Sequence, residues 1–388
     1  MKDQAKPISK DERLARFERA RELMKANQID AFLLASGTSL TYFTGVHWWP
    51  SERFFAVVVP AKGNIFCVSP AFEEGRAREQ LAKGPLGDSV DVRIWQEDED
   101  PYQRFVEGLK DRGIASGRLG VEETTYFVFS DNLAHHAPAL QLVSATPVTA
   151  GCRMRKSQAE LQLMQLANTV TLTAYEAAWK ALKPGMSDQE FSALIGAAHQ
   201  KLGFQGDAMV LVDPYTASPH GTVNPEVIKE NSIVLIDGGC KVEGYSSDIS
   251  RTFVVGKPTD KMRRVFDIVH RAQAKALATA KPGVQCGQVD AAARQIITDA
   301  GFGPDYKYFT HRVGHGIGMD GHEWPYLVRG NKLPLEPGMS FSDEPGIYIR
   351  GEFGVRLEDD MHITENGAEL FTPQSPDLEE PFKGMHKQ

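Results

Sequence analysis

Cysteine is scarce in this chain: four in 388 residues, Cys67, Cys152, Cys240 and Cys286, with no CxxC pair among them. That argues against a disulfide framework and against a thiolate metal cage. No apolar run approaches the roughly 18 residues that cross a bilayer. The opening MKDQAKPISKDERLARFERA has no apolar stretch of the kind a secretory signal needs. Basic charge is in deficit, with 43 Lys and Arg against 51 Asp and Glu and a formal net charge of −8. Such a balance disfavours nucleic acid or an anionic membrane as the main partner. Low-complexity tracts and short repeats are also missing. What is present is an ordinary globular composition, 41% hydrophobic and 24% charged, in a length that suits two domains. A cytoplasmic protein with reduced thiols is the expectation.

Helix and strand signals alternate over residues 1–153. A charged stretch, DERLARFERARELMKANQ, precedes the apolar IDAFLLAS. Strand-like FFAVVVP and NIFCVSP follow, then helical FEEGRAREQLAK, strand-like VDVRIW, helical PYQRFVEGLKDRG, and strand-like RLGVEE and LQLVSATPV. This is an α/β pattern, with helices covering a sheet. From residue 154 to 388 the texture changes. SQAELQLMQLANTVTLTAYEAAWKAL predicts a long helix, with Ser157 and Glu160 spaced as a capping box. SDQEFSALIGAAHQKLG predicts a second, and two more are predicted at about 259–281 and 287–300. Strands are predicted in NSIVLIDGG, SRTFVVG, GMSFSDEPGIYI and GVRLEDDMHIT, which makes the second domain α+β with antiparallel pairing. The closing PDLEEPFKGMHKQ reads as a tail.

Several acids sit where acids are costly. Asp237 ends the apolar SIVLI, and a turn in KVEGY returns the chain to Asp248, so a hairpin would bring the two together. Neighbouring buried carboxylates need a shared proton or a cation. Glu344 falls inside a predicted strand, before Pro345. Arg356 and Glu358 are two apart and would share one face of a strand, with Leu357 and Asp359 on the other. Three histidines, His311, His315 and His322, lie in the glycine-rich HRVGHGIGMDGHEWP. Taken singly, each has a plain explanation: a cap, an arginine pair or a loop histidine. As a set, Asp237, Asp248, His315, Glu344 and Glu358 offer four carboxylates and an imidazole, donors suited to hard or borderline divalent ions. Two such ions would balance about four negative charges, and between them a water could be held and ionised.

The stretches IDGGCKVEGYSSDISRTF, VGHGIGMDGHEWP, FSDEPGIY and GVRLEDD resemble the metal motifs of the pita-bread metallopeptidases. That family includes aminopeptidase P, prolidase, methionine aminopeptidase and the metal-free creatinase. The likeness covers about residues 154–370, and creatinase does not keep the five-residue set. In the first domain, SLTYFTGVHWWPSERFFAVVVPAKG is similar to the N-terminal domain of creatinases and prolidases, which methionine aminopeptidases lack. The SER and PAFE segments look most like a bacterial subgroup of Xaa-Pro dipeptidases. The resemblance implies a creatinase-like α/β N-terminal domain and an α+β pita-bread catalytic domain.

Position by position, the resemblance implies Asp237 as a ligand of one metal, Asp248 and Glu358 as bridges, and His315 and Glu344 completing the other sphere. His220, which lies 17 residues before Asp237, and His322, which follows His315 by seven, match the family's pocket histidines. Arg356 matches an orienting arginine, and Glu344 the general base. His311 and Asp343 carry no assigned role; strand alternation turns Asp343 away from the acids. The implied cofactor is two divalent ions, manganese foremost, with cobalt, zinc and iron also suited to such donors. The implied substrate is a proline-containing dipeptide or short peptide, and the implied assembly a homodimer. In it, His47, Trp48, Trp49 and Arg53 would cap the partner's pocket, with Arg53 binding the substrate carboxylate; the plain alternative packs both tryptophans on their own domain. Three rival functions remain: an aminopeptidase acting on longer peptides, a dimethylsulfoniopropionate lyase on the same fold, and a non-catalytic binding module.

Overall fold

The structure is a computed structural model that describes residues 1–384. The chain forms two compact units, Ile8–Arg153, and Met1–Pro7 together with Met154–Gln388.

In the first unit, α1 (Lys10–Asn27) begins at Ser9, whose side chain accepts the Glu12 N–H, and ends at Gln28 in the left-handed region at φ 56°. There follow β1 (Ala31–Ala35), α2 (Thr38–Thr44), β2 (Ala56–Pro60), β3 (Phe66–Pro70), α3 (Glu74–Lys83), β4 (Asp91–Trp95) and α4 (Pro101–Lys110). The unit closes with β5 (Gly117–Val121), α5 (Phe127–His136), β6 (Leu140–Ser144) and α6 (Thr146–Arg153). The six strands form one sheet in the order β4-β3-β2-β1-β5-β6, in which only β2 runs antiparallel to its neighbours. Strands β1, β2 and β3 are buried along their whole length, which is why they read as unbroken apolar runs. Two helices differ from the sequence reading. FVFSDNLAHH forms α5 although its apolar residues bunch at one end. LQLVSATPV is a strand only as far as Ser144; Pro147 then lies in the first turn of α6, where its missing N–H costs nothing.

The second unit opens with α7 (Gln158–Ala181) and α8 (Asp188–Leu202). Each starts with a reciprocal capping box, Ser157 with Glu160 and Ser187 with Glu190. Next come β7 (Gly206–Val212), β8 (Ile233–Val242), β9 (Tyr245–Ser246), β10 (Ile249–Val254), α9 (Asp260–Thr279) and α10 (Cys286–Asp299). The remaining strands are β11 (Gly314–Gly316), β12 (Glu323–Leu327), β13 (Ser340–Asp343), β14 (Gly346–Ile349), β15 (Phe353–Arg356), β16 (Asp359–Ile363) and β17 (Ala368–Leu370). All pairings are antiparallel: β10-β8-β7 with β9 on β8, β12-β11-β13-β16-β17, and the hairpin β14-β15. One core joins α7 and α8 to β7, β8 and β10 through Tyr175, Phe191, Ile236 and Phe253. A second joins α9 and α10 to β13 to β16 through Val269, Val289, Phe341 and Val355.

The structure corrects three expectations here. GMSFSDEPGIYI is two strands, β13 and β14, broken at Glu344–Pro345, where proline has no N–H for a ladder. GVRLEDDMHIT is likewise two, β15 and β16, with Leu357 and Glu358 between them. Both acids therefore sit at strand junctions, not inside strands. Nor is the C-terminal segment a free tail as far as residue 384. Leu378 and Phe382 are buried in the two cores, and the Val254 N–H donates to the Leu378 carbonyl at 2.8 Å. Leu378→Ala and Phe382→Ala should each destabilise this unit by roughly 2–5 kcal/mol, the range for emptying a packed apolar site. Urea unfolding of the two variants tests this; losses within about 0.5 kcal/mol would restore the tail.

Candidate active site

Strand β8 alternates Val234 and Ile236 toward the helix pair α7 and α8, leaving Leu235 and Asp237 on its other face. In register with Asp237 on β10 is Ser250, and Asp248 lies just before that strand. Glu344 and Glu358 enter from the two strand junctions. The result is three overlapping sets whose donor atoms lie within 4.8 Å of one another: Asp237, Asp248 and Glu358; His315, Glu344 and Glu358; and Asp248, His315 and His322. The structure thus gathers all five of the acids and imidazole singled out in the sequence, and adds His322. Asp248, His315 and Glu358 each belong to two sets.

Charge in this cluster is poorly balanced. Arg356, only 3% exposed, donates Nη2 to Asp237 Oδ2 at 2.5 Å and Nε to Ser250 Oγ at 2.9 Å. Ser250 Oγ also lies 2.9 Å from Asp237 Oδ1 and 2.5 Å from Glu358 Oε2, yet a hydroxyl has one proton to give. Burial opposes the charge on Asp237, but Arg356 and the Ser250 hydrogen bond outweigh it and its pKa falls. The others go the opposite way. Burial and the adjacent acids raise Asp248 and Glu358 well above the ordinary carboxylate range, and burial pushes Glu344 up to about 8. Without a cation, these groups must keep protons. A divalent ion would take the protons' place, so this donor set fits the implied metals.

The histidines differ in what they can do. His315 Nδ1 lies 3.2 Å from the Gly316 carbonyl, which can only accept, so Nδ1 carries the proton. Nε2 keeps its lone pair and lies 3.4 Å from Glu344 Oε1 and 3.9 Å from Asp248 Oδ2. Burial, followed by the nearby His322, lowers its pKa to about 3, which holds it in the ligand form. His322 stacks on it, with ring centroids 3.7 Å apart, and burial lowers its pKa too. His220 is exposed and lines a cavity of about 690 Å³ together with His311.

Several working contacts left no trace in the sequence pattern. His311 bonds Tyr348 Oη through Nε2 at 2.7 Å and sits 3.6 Å from Glu344 Oε2. Tyr348 Oη in turn accepts from Arg356 Nη1 at 3.2 Å. The Asp248 N–H donates to Asp360 Oδ2 at 2.9 Å, and Ser342 Oγ accepts the His315 N–H at 3.0 Å. Spacing from the acids (Ser250 two after Asp248, Tyr348 four after Glu344) is the only signal that could have marked them. Asp343 pairs in register with Asp359 and is fully buried with neither oxygen bonded, and burial raises its pKa well above normal. It is not among the clustered donors.

In the first unit, Trp48 is 8% exposed and stacks on Phe55 at 3.9 Å, with Arg76 over its ring. Trp49 is the indole that solvent reaches, at 79%. Arg53 already forks onto Glu97 at 2.9 and 3.1 Å and reaches Glu52 at 2.7 Å. His47 is exposed.

A pH dependence of stability follows for the cation-free protein. Glu344, raised to about 8, keeps a proton in the folded chain that the unfolded chain has lost. The resulting stability is complete below the unfolded value and disappears as pH climbs through about 8. His315 and His311, both lowered to about 3, act in the opposite sense, but only up to their unfolded value near 6.5. Thermal melting of chelator-treated protein should therefore fall between about pH 6.5 and 9, and an added divalent ion should restore it. A flat profile would contradict the carboxyl cluster described above.

Comparison with known proteins agrees with this geometry. Residues 162–365 match the model of metallopeptidase family M24, and residues 16–155 match the creatinase/prolidase N-terminal domain. The chain is 34% identical to an Xaa-Pro dipeptidase of Lactobacillus delbrueckii subsp. lactis, over 93% of this chain and 98% of the relative. Among solved structures, dipeptidase PepE of Mycobacterium ulcerans superposes with a TM-score of 0.90 at 33% identity, covering 96% of this chain and 99% of that one. A prolidase of Thermococcus sibiricus gives 0.84 at 29% identity, covering 95% and 98%. With its motifs, its two-unit fold and its clustered donors in agreement, the chain belongs to metallopeptidase family M24 and carries the N-terminal domain of the creatinases and prolidases.

Proposed function

We propose that this protein hydrolyses the Xaa-Pro bond of dipeptides, with two divalent metal ions, manganese foremost, as cofactor. The observation that carries this reading is the overlap of the donor sets, with Asp248, His315 and Glu358 each shared, beside a cavity lined by His220 and His311. Support comes from a relative named Xaa-Pro dipeptidase that the chain covers almost completely.

In this reading Asp237, Asp248, His315, Glu344 and Glu358 would hold the two ions, with Asp248 and Glu358 shared between them. Two ions held there would supply Lewis acidity that eases ionisation of a water and polarises the scissile carbonyl. The side chains do the rest. Glu344, at the edge of the donor set, accepts a proton from the attacking water and returns it to the proline nitrogen. That nitrogen leaves as a secondary amine. His220 and His322 hold the carbonyl oxygen as its charge develops. Arg356 keeps Asp237 ionised and oriented. A bond to proline has no N–H, so strand-like binding of the substrate loses a donor, and a cavity shaped to the ring replaces it. Trp48 and Arg53 stay in this reading as substrate-binding groups that reach the pocket of the second copy in a homodimer, with Arg53 set to bind the substrate carboxylate. A homodimer and a cytoplasmic location belong to the same proposal.

Protein stripped of metal and reloaded with manganese should cleave Ala-Pro, with Ala-Pro-Ala cleaved poorly or not at all. Cleavage of the tripeptide alone, or of both equally, would move the assignment to an aminopeptidase. Cleavage of neither, with turnover of dimethylsulfoniopropionate, would move it to a lyase. Glu344→Ala should lose at least about 100-fold in kcat, the lower range for removing a positioned base. His322→Ala should lower kcat more than it raises KM; a change confined to KM would make His322 a binding group only.

A further inference from the structure

One buried ion pair near the acids has no part in the assignments above. Glu323 follows His322 directly and opens β12. Its Oε1 lies 2.5 Å from Lys156 Nζ, and its Oε2 accepts the Asp320 N–H at 3.4 Å. Both side chains of the pair are buried. Lys156 precedes Ser157, the cap of α7, and its backbone is tied elsewhere: its N–H donates to the Gly338 carbonyl at 2.8 Å, and Arg155 bridges Met339 beside it. The ammonium is therefore a fixed post, reached by a residue 167 positions away.

The loop that meets this post needs a tie. Strands β11 and β12 pair Gly314 with Leu327 and His315 with Tyr326, but Gly316 with Glu323, so Trp324 and Pro325 bulge from the ladder. The register breaks at His315, and residues 317–322 run outside any strand before His322 returns to stack on His315. Residues 317–319 are held by the Ser340 carbonyl, the Ser246 N–H and Lys241 Nζ. Glu323 closes the remainder through the Asp320 N–H. A Cβ on Gly318 would come within 2.5 Å of Glu323 Oε1 and 2.8 Å of Lys156 Cε, so glycine stands where the pair passes. Such a pair is a weak source of stability, because desolvation of both charges offsets their attraction and apolar replacements are often as stable. What it supplies here is a fixed distance.

We propose that the ion pair of Lys156 and Glu323 is a positioning device for His322, holding its backbone so that the ring lies against His315 and meets the substrate carbonyl. The placement of the ring stands on the geometry alone; the effect on turnover rests on the Xaa-Pro reading. A charged hydrogen bond gives the pair a short, directed link between one ammonium and one carboxylate, which an apolar contact lacks. The second carboxylate oxygen passes that constraint to Asp320, two residues before His322. Without the pair, the loop shifts and His322 leaves the carbonyl oxygen, while the acids keep their places. A displacement of about 1 Å in a catalytic group is enough to cost about 100-fold in rate.

The test uses manganese-loaded Glu323→Gln and a double variant, Lys156→Met combined with Glu323→Leu. The double variant leaves no charge buried alone, so it should melt within a few degrees of wild type and keep its metal content. On Ala-Pro it should lose about 10- to 100-fold in kcat with KM held within about threefold, the mark of a misplaced group that acts in the transition state. Glu323→Gln keeps the shape and the Asp320 bond and should lose less. In a His322→Ala background the double change should cost nothing further, because the two act through one ring. A readout independent of turnover is the NMR cross-relaxation between the rings of His315 and His322 in zinc-loaded, histidine-labelled protein, which should weaken in the double variant. Full kcat in the double variant, an equal loss with His322 already removed, or an unchanged ring contact overturns the proposal. So does a large drop in melting temperature, which makes the pair structural. Failure of the wild type on Ala-Pro removes the peptidase reading, and the ring contact then decides this proposal alone.

Discussion

Mutual repulsion among four clustered carboxylates, Glu358 buried and the other three half-buried, is the constraint around which the catalytic unit is built. Asp237, Asp248, Glu344 and Glu358 converge within overlapping 4.8 Å sets, and among the described residues Arg356 is the one arginine hydrogen-bonded to any of their carboxylates. One guanidinium and two hydroxyl protons, those of Ser250 and Ser342, cannot settle four negative charges. The folded chain answers by raising the pKa of three of the acids, which means it keeps protons there until a cation displaces them. Such a cluster is poor structure and good coordination chemistry. A fold that needed only stability would replace it with apolar side chains.

Holding the acids in place requires breaking regular structure at chosen points. Two long strands could have run through Glu344 and Glu358. Each is instead interrupted there, by Pro345 in one case and at Leu357–Glu358 in the other. A residue at a junction is freed from the strict in-out alternation of a strand, so its side chain can turn toward a common centre. The interrupted backbone is then tied from the side: the Glu358 N–H donates to the Ser250 carbonyl, and the Glu344 N–H to the Val313 carbonyl. Thr252 exchanges hydrogen bonds with the Arg356 backbone, which locks β15 against β10. The two helix pairs cover the apolar faces behind these strands and leave the polar faces to the site.

This division explains what was legible in the sequence. Asp237 stood out because a carboxylate at the end of SIVLI contradicts its surroundings, and the capping boxes because their spacing is local. The antiparallel character of the second unit was legible for the same reason, since strand and turn signals are short-range. Ser250, Tyr348 and Asp360 were not, because each is an ordinary residue whose meaning comes from partners about 100 positions away or across a hairpin. The buried Leu378 and Phe382 were missed likewise: a polar-looking end carries no sign that two of its side chains reach separate cores. Periodicity reports which face of an element is apolar. It says nothing about where an element is cut, and here the cuts position the acids.

The paired histidines show how backbone contacts separate similar residues into different tasks. His315 and His322 stack at 3.7 Å with their rings 16° from parallel. Two imidazolium rings at that distance would repel strongly, so at most one can be charged, and burial moves both toward the neutral form. The Gly316 carbonyl then fixes which nitrogen of His315 bears the proton, and so which one faces the acids. His322 has no such carbonyl bond and is more exposed, so its ring can turn either a proton or a lone pair toward a ligand. The stack makes His315 a rigid support for that freer ring. A bulky or charged residue at either position would disturb both the donor set and the wall of the site.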